Sequence, residues 1–472
     1  MDPAVQAPEI AHQGGDEGFS RGVEEPRPQP KGKKGRPKKF RPPPPNLIRD
    51  LAVVLGHFFP DFSAWLGEVD DPRCGGQAVY ALKTLLLLGT LLFLGHAASR
   101  NHFNNRIRDS LEMAHTLAKL LGCAPDGVPH LDTLEKVLRE TDPAQIEALL
   151  PKLVRRLIRM KALDKWRVRG RFPLAIDGTG LYVFRDRHCP HCVKTEHSSG
   201  TATYGHKLLA AFLAGPGGYA LPVAFEFIEN PGLEYDKQDC EIKAFHRLEA
   251  RIRLLYPQTR FHLLLDAIYA DQHVMRKAIR HGWAYSITFK ESDMPALWRE
   301  AQSLLALSPE QVRTVQLPRG GTRRIRWIND MAYEEMTLSA VSQTETLPGD
   351  VEEHSFAHLH AEPIDGLNFV ETARVARMRW QCENQGFNVL ENGGFALEHV
   401  YSRTNAAAKC YVGLMCVAHI LQQLLTKGLR ADEFKSMFRT FRNYGALMLE
   451  ALRSVPMPQS LDPPGQIRLS SA

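Results

Sequence analysis

Two aspartates in this sequence each directly follow a short apolar run that has the pattern of a buried strand. Asp177 follows residues 172–176, and Asp266 follows residues 261–265. Side chains just past the carboxyl ends of central strands face the crevice in which α/β sheets bind ligands. An aspartate that loses hydration there needs a cation as partner, and Mg²⁺, or Mn²⁺ in its place, prefers such hard oxygen ligands. The pair therefore predicts a shared divalent-metal site.

A third acid is expected from a helix late in the chain. Metal-dependent phosphoryl transfer commonly uses two ions that hold the attacking and leaving oxygens, so a third carboxylate is needed. Glu383 is the candidate, with Arg379 four residues earlier on the same helical face, where a planar guanidinium can reach a phosphate. Either aspartate alone could equally form a turn or cap a helix. The competing acids are Glu371, Glu391 and Glu398 for the third position and Asp271 for Asp266, although Asp271 is expected to cap a helix.

The elements that must position these residues follow an α/β order from residue 172 onward. The predicted order is β-β-β-α-β-α-β, which indicates a mixed sheet flanked by helices. A partly β segment from 291 to about 370 interrupts this order before the chain becomes helical again. The strands are predicted at 172–176, 206–213, 221–228, 261–265 and 285–289, with 324–328 and 336–341 in the inserted segment, and the helices at 236–255, 271–281, 372–390 and 406–424.

The sequence before this region predicts an arm and a helical domain. Residues 1–46 are rich in Pro, Gly, Glu and Lys and cannot bury enough apolar surface to fold alone, so we expect a disordered arm. The following residues have helical periodicity, with helices expected at 131–141 and 143–163. The apolar stretch 78–98 is interpreted as a buried core helix, because Lys83 and His96 bracket only twelve residues, whereas a membrane span needs about 20. The predicted boundaries are 1–46 for the arm, 47–168 for the helical domain, 169–425 for the α/β domain and 426–472 for a helical C-terminal tail.

Positive charge is concentrated in the arm. The chain has a net charge of +6, yet residues 27–41 alone contain eight basic residues and no acidic one. Its Gly-Arg-Pro core resembles an AT-hook, a slim extended segment that suits the narrow minor groove of A·T-rich DNA. A generic basic linker is the alternative interpretation. The residues expected to bind DNA here are Lys33, Lys34, Arg36, Lys38 and Lys39.

A second basic segment closes the predicted helix 143–163. Its arginines Arg155, Arg156 and Arg159 are expected to contact the DNA backbone, because phosphate neutralisation requires clustered basic residues. A solvated charged helix face explains the same pattern equally well.

A Cys-x-x-Cys pair, Cys189 and Cys192, follows the first predicted strand. Zinc takes four nitrogen or sulfur ligands, so the pair is a candidate zinc site that needs two further ligands. The alternative is an ordinary hairpin tip without metal. The residues that could complete the site are His188, His191, His197, His206 and Cys240.

Composition places the chain among ordinary globular proteins. It has 472 residues, of which 44% are hydrophobic and 24% charged, and this balance excludes a fibrous or wholly disordered protein. The scattered cysteines and the lack of an apolar segment in the first 46 residues predict a reduced, intracellular protein without a membrane anchor. The expected location is the cytoplasm, in association with the nucleoid.

Taken together, the motifs resemble the DDE transposases of bacterial insertion sequences. The matching residues are Asp177-Gly178-Thr179, Asp266-x-x-Tyr269 and Arg379-x-x-x-Glu383, with the long gap over 291–370 suiting the subgroup that carries a β-rich insertion before the glutamate. The resemblance covers roughly residues 130–425. It departs from the subgroup at two positions, because Ala376 stands where a Tyr is usual and Leu390 where a Lys is usual. Arg374, Arg377 or Arg403 could bind the 5′ phosphate in place of these two residues.

This resemblance implies an RNase H-like catalytic core and a magnesium-dependent reaction. Asp177 and Asp266 would share the metals, and Glu383 would complete the second metal site. The expected reaction is cleavage at the transposon ends followed by transfer of the 3′ hydroxyl to target DNA, and the expected partners are double-stranded DNA and further copies of the chain. The alternatives are an RNase H-like nuclease without strand transfer and a catalytically dead DNA-binding derivative.

Overall fold

The computed structural model describes residues 46–73, 78–123, 127–317, 320–349, 353–431, 434, 438–458 and 467–469. The predicted basic arm, including Lys33, Lys34, Arg36, Lys38 and Lys39, lies outside the described residues. From residue 46 onward, the described residues belong to one compact unit.

Eight helices precede the sheet. They are α1 (Leu47–Phe58), α2 (Phe62–Gly67), α3 (Leu82–Leu94), α4 (Arg100–Ile107), α5 (Leu111–Leu121), α6 (Leu131–Leu138), α7 (Pro143–Glu147) and α8 (Leu149–Arg159). The single helix predicted over 143–163 is therefore two helices. Pro151 explains the break, because it has no N–H to donate to the carbonyl of Glu147 and its ring crowds that carbonyl.

The apolar stretch 78–98 forms α3, and this confirms the prediction of a buried core helix. Every residue of α3 except Lys83 is buried, and the helix packs against the long helix α14 (Asn405–Gln423). One helical stretch, Asn405–Leu429, is long and apolar enough to cross a membrane, but 94% of its most apolar window is buried inside the protein. Both stretches thus form the core of the described part of the chain.

A ten-stranded mixed sheet follows the helices. Its strands are β1 (Phe172–Phe184), β2 (Val193–Glu196), β3 (Ala202–Gly215), β4 (Tyr219–Ile228), β5 (Phe261–Leu265), β6 (Ala284–Thr288), β7 (Val312–Gln316), β8 (Thr322–Tyr333), β9 (Met336–Thr346) and β10 (His354–His360). The helices α9 (Glu241–Leu255), α10 (Gln272–Arg280) and α11 (Pro295–Leu307) connect them. The mixed α/β class is therefore confirmed, with every predicted strand present.

The central strands lie in the order β4-β3-β1-β5-β6. β1 and β5 are parallel, as are β5 and β6, whereas β3 is antiparallel to both β1 and β4. All five residues of β5 and the last eight of β3 are buried. Burial on both faces is what continuous apolar strands such as these require.

The inserted segment extends this sheet. β10 pairs antiparallel with β6, and the order continues through β9 and β8 to β7. The segment is richer in strands than the sequence indicates, because β7 and β10 carry no clear alternation of apolar and polar residues. It also contains the unpredicted helix α11, which packs against β8.

The helices after the insertion return to the central strands. They are α12 (Phe369–Arg377), a π-helical turn (Cys382–Phe387), α13 (Asn388–Asn392), α14, a second π-helical turn (Leu424–Leu429) and α15 (Phe441–Ser454). The helix predicted over 372–390 is thus interrupted. α15 packs against α1, α4 and α5, so the last described helix contacts the N-terminal helices.

One side-chain contact fastens α14 to the sheet. Gln423 on α14 donates to the carbonyl of Ala220 at 2.8 Å and accepts from its N–H at 2.8 Å. Ala220 belongs to β4, whose only strand partner in the described sheet is β3. The amide therefore satisfies backbone groups on an open strand edge in place of another strand.

Candidate active site

The two predicted aspartates lie side by side on adjacent parallel strands. The pairs Phe172↔Phe261 and Ala175↔Leu264 set a constant offset of 89 residues between β1 and β5, and the same offset separates Asp177 from Asp266. The backbone at Asp266 is still extended. Because side chains alternate between the faces of a strand, residues at one register level share a face, so the sheet brings Asp177 and Asp266 together.

Asp177 is a largely buried carboxylate. Its side chain is 18% exposed, one oxygen accepts from the N–H of Gly178 at 3.0 Å, and the other accepts from Arg379 at 2.9 Å. Burial raises the pKa of Asp177 to about 6, and the positive charge of Arg379 opposes this shift without cancelling it. The anion is therefore short of compensating charge, which is the electrostatic condition that favours a bound cation.

Arg379 bridges the first aspartate and the predicted glutamate. Its second terminal nitrogen lies 2.8 Å from Glu383, whose side chain is 45% exposed. Burial lowers the pKa of Arg379, but the negative charges of Asp177, Glu383 and Asp266 outweigh this effect and leave the pKa raised. Arg379 therefore joins Asp177 and Glu383 directly, and it lines the same cleft as Asp266.

The π-helical turn positions Glu383. Within it, Gly386 is buried, and a Cβ atom at this position would lie 3.1 Å from the ring of Phe212 on β3. Any side chain at this position would require the ring to shift by a few tenths of an ångström. Cys382 is also buried, and burial together with the charge of Asp177 raises the pKa of its thiol. Single π-helical turns occur frequently at functional sites.

Asp266 faces a cleft beside the other acids. Lys290, just past the end of β6, lies 3.8 Å from its carboxylate. The cleft has a volume of about 280 Å³ and is lined by Asp266, Lys290, Arg377, Arg379 and Trp380, among others. Its wall carries an unusual stack: the guanidinium of Arg377 lies 3.5 Å from the ring centre of Phe356 and 4.6 Å from that of Trp380.

A fourth acid, Glu241, was missed by the sequence reasoning. It begins α9, and its carboxylate lies 3.0 Å from where a Cβ on Gly178 would be. Its charge also raises the pKa of Asp177, although less than burial does. Tyr269 donates to it at 2.6 Å, which gives the Asp266-x-x-Tyr269 spacing a structural reason. A polar residue at a helix start has no distinctive pattern, so only the buried partner Tyr269 could have indicated Glu241.

The other acids that were considered for the site differ in their surroundings. Asp271 caps α10, accepting from the N–H groups of His273 and Val274, as predicted. Glu371 pairs with Arg169, and Glu398 is exposed. Glu391 is nearer to the site because it accepts from Thr179 at 2.7 Å.

The two positions that depart from the transposase signature are both buried. Ala376 and Leu390 are each 1% exposed, so both side chains lie in the core. Of the arginines considered as replacements, Arg377 lines the cleft, Arg374 contacts the sulfur of Met378, and Arg403 lies near Phe184. Arg377 is therefore the best-placed phosphate ligand of the three.

Only part of the second basic segment is available to bind a phosphate, because some of its arginines form ion pairs. Arg155 and Arg159 are exposed on α8, and Arg156 is half-buried. Farther along, Arg169 and Arg171 form ion pairs with Glu362. The part of this segment that remains available to a phosphate is thus α8.

The Cys-x-x-Cys pair belongs to a compact group with His188 and His206. Their potential ligand atoms all lie within 4.8 Å of one another, and this is the group of metal-binding side chains that stands out among the described residues. The other candidates lie outside this group: His191 bonds the carbonyl of Asn230, His197 bonds Thr203, and Cys240 is an exposed free thiol. The carboxylates of the acidic site are arranged differently, because Arg379 lies between two of them.

The acidic site offers carboxylate oxygens, but its acids do not form a group whose ligand atoms all lie within 4.8 Å of one another, as the four Cys and His side chains do. Three carboxylates on two strands and a helical turn offer oxygen ligands of the kind that magnesium or manganese binds. Comparison of the chain with models of known protein families and with curated proteins gave no match.

Proposed function

We propose that this chain is a DDE-type DNA transposase, which cleaves and joins DNA by metal-dependent phosphoryl transfer. The observation that carries the proposal is the shared register of Asp177 and Asp266, with Arg379 linking the first of them to Glu383. Asp266 directly follows β5, whereas Asp177 lies within β1, which continues to Phe184 instead of ending at residue 176 as predicted. Both aspartates are at the register level just past the carboxyl end of β5, the kind of position at which α/β sheets bind ligands.

The strand order supports the same proposal. Numbered by their order in the chain without the short β2, the central strands run 3-2-1-4-5, with the second strand antiparallel to the rest. This arrangement resembles the RNase H-like core, with the first acid on strand one and the second after strand four. The β-rich segment between β6 and α12 lies where the resemblance calls for an insertion.

In the proposed reaction Asp177, Asp266 and Glu383 would hold the divalent metal. When bound, magnesium or manganese activates a hydroxyl nucleophile and stabilises charge on the transferring phosphoryl group. Arg379 holds Asp177 and Glu383 in position by neutralising them, and its planar fork can turn to a phosphate oxygen when DNA binds. Glu241, held by Tyr269, keeps the pocket negative beside Gly178.

Several surfaces near the site suit DNA. The stack of Arg377 with Phe356 and Trp380 offers flat faces for an unpaired base, and Lys290 offers a charge for a phosphate. A larger cavity of about 630 Å³ is lined by Arg106, Arg442 and Arg453 among other residues. In this proposal the substrate is double-stranded DNA, both the transposon ends and the target. An oligomer of the chain pairs two transposon ends, and the protein acts at the nucleoid.

The test uses a donor plasmid that carries the coding region with its native flanking DNA. Purified full-length protein with Mg²⁺ or Mn²⁺ should release 3′ ends at defined positions and join them to a second plasmid. Asp177→Asn, Asp266→Asn and Glu383→Gln should each reduce cleavage roughly 100-fold or more, since a catalytic metal supplies several kcal/mol. DNA binding, measured by gel shift, should persist.

Glu398→Gln is the matched control, because Glu398 is an exposed acid, and it should keep full activity. Cleavage without joining would identify a nuclease instead of a transposase. Binding without cleavage under either metal would identify a catalytically dead derivative. Full activity in all three acid variants would refute a carboxylate-based mechanism altogether.

A further inference from the structure

A group of two thiols and two imidazoles lies away from the acidic site, on the extended hairpin that follows Asp177. His188, Cys189 and Cys192 belong to the turn between β1 and β2, and His206 belongs to β3. Cys192 and His206 are both buried. Two separate segments of the chain therefore converge on one point, and the function proposed above uses none of these four side chains.

The spacing of the four ligand atoms matches a tetrahedral zinc ion. Bond lengths of about 2.3 Å to sulfur and 2.0–2.1 Å to nitrogen place two sulfurs about 3.8 Å apart and a sulfur and a nitrogen about 3.5 Å apart. The Sγ atoms of Cys189 and Cys192 are 3.5 Å apart. The Nε2 of His206 lies 3.2 Å from Cys189 Sγ and 3.8 Å from Cys192 Sγ, and the Nδ1 of His188 lies 3.1 Å from Cys192 Sγ.

We propose that His188, Cys189, Cys192 and His206 form a structural zinc site. Two thiolates and two imidazoles suit zinc and exclude magnesium, which takes oxygen ligands. Four protein ligands fill a tetrahedral coordination shell, so no position is left for a substrate, and the site is structural rather than catalytic. Both cysteines are free thiols at a separation well beyond a disulfide bond.

The turn that carries three ligands is fixed by a buried asparagine. Asn230, at the end of β4, donates from its side chain to the carbonyl of Cys192 at 2.8 Å and from its N–H to the carbonyl of His191 at 3.1 Å. Its side-chain oxygen accepts from the N–H of Asp239 at 3.0 Å. The ligands are thus held in place by contacts outside the site, which favours metal binding because little further ordering is needed.

The zinc site would tie the far ends of β1 and β3 together. On β3, His206 lies four residues before Ala210, which pairs with Asp177. Through Asn230 and Asp239 the same contacts extend to the segment that leads into Glu241. The ion would therefore stabilise the strands that carry the acidic site, whatever reaction that site performs.

The first measurement is the metal content of purified full-length protein. After removal of loosely bound ions with a chelating resin, elemental analysis should find about one zinc per chain. Replacement by Co²⁺ should produce the visible absorption bands of a tetrahedral site together with sulfur-to-cobalt charge transfer. Both measurements use the wild-type protein, so the proposal does not depend on the folding of a variant.

Ligand variants then locate the ion. Cys189→Ser and His206→Ala should each lower bound zinc at least about tenfold, whereas Cys123→Ser, which alters an exposed cysteine elsewhere, should leave it unchanged. Zinc-free wild-type protein purified from zinc-supplemented cells would overturn the proposal. A Cys189–Cys192 disulfide detected by mass, or zinc that persists in Cys189→Ser, would overturn it as well.

Discussion

At the scale of single residues, the site is organised by one cation among several acids. Arg379 contacts Asp177 and Glu383 directly, and the negative charge of Asp266 also raises its pKa. It holds the acids in position by neutralising them, which is also what a divalent metal would do. Arg379 and a metal therefore compete electrostatically for the same negative charge.

Removing this cation should strengthen metal binding by the protein alone. At a separation of about 4 Å a unit charge contributes about 1 kcal/mol in water, so we expect Arg379→Ala to tighten Mn²⁺ binding about fivefold in calorimetry. Cleavage of DNA should fall in the same variant, because the phosphate ligand is lost. Arg374→Ala on α12, whose side chain contacts Met378 rather than an acid, should change neither; weaker Mn²⁺ binding in Arg379→Ala would refute the competition.

The residue types predicted the acids, but they did not predict the partners of these acids. Asp177 and Asp266 were identified because apolar runs precede them, and Glu383 because of its spacing from Arg379. Glu241 and Lys290 carry no such pattern, since each becomes a neighbour only when separate elements pack together. Partners of this kind depend on tertiary contacts, which local sequence does not specify.

At the scale of elements, the sequence predicts a strand correctly where all of its consecutive residues are buried. The strand predicted over 261–265 has the same bounds in the structure as β5, whose residues are all buried. β10 was missed because its polar sequence forms a strand only where the open edge of β6 offers backbone partners. The helix predicted over 372–390 is interrupted by a turn at residues 378–379 and by the π-helical turn, in which Gly386 packs against β3. Helical periodicity does not reveal such a contact.

This contact makes the π-helical turn sensitive to side-chain size. Gly386→Val would force its side chain into the ring of Phe212, where even a Cβ would lie at 3.1 Å. We expect a loss of about 1–3 kcal/mol in the free energy of unfolding, measured by urea denaturation, together with a loss of DNA cleavage as Glu383 moves. Gly366→Val is the control, because a Cβ there meets nothing within 4 Å; equal stability of the two variants would contradict the packing argument.

At the scale of the whole molecule, an ion pair connects the N-terminal helices to a helix that flanks the sheet. Glu147 at the end of α7 pairs with Arg251 on α9 at 3.0 Å. Burial raises the pKa of Glu147 to about 7, and the charge of Arg251 opposes the rise. The boundary predicted near residue 168 is thus crossed by ion pairs as well as by the packing of α14 on α3.

The raised pKa has a consequence for stability against pH. An acid whose pKa is higher in the folded than in the unfolded chain favours folding while protonated, so its contribution is complete below about pH 4.5 and is lost as the pH rises to about 7. Glu147→Gln should therefore reduce the loss of unfolding free energy between pH 5.5 and pH 8 by roughly 2–3 kcal/mol at most. Urea denaturation at both values measures this change.

Glu68→Gln provides the comparison, since Glu68 pairs with Lys152 at an exposed position. This variant should leave the difference between the two pH values unchanged. If Glu147→Gln also leaves it unchanged, Glu147 is already ionised in the folded protein at pH 5.5.

The constant offset between β1 and β5 also determines where the chain can gain or lose length. Insertions in the loops among the 76 residues that connect the two strands would leave both aspartates opposite each other, because pairing is set within the strands. A single deletion inside β5 would turn Asp266 to the opposite face of the sheet. Among diverging copies of this sequence, length variation should therefore accumulate between the strands and be absent from the few residues before each aspartate.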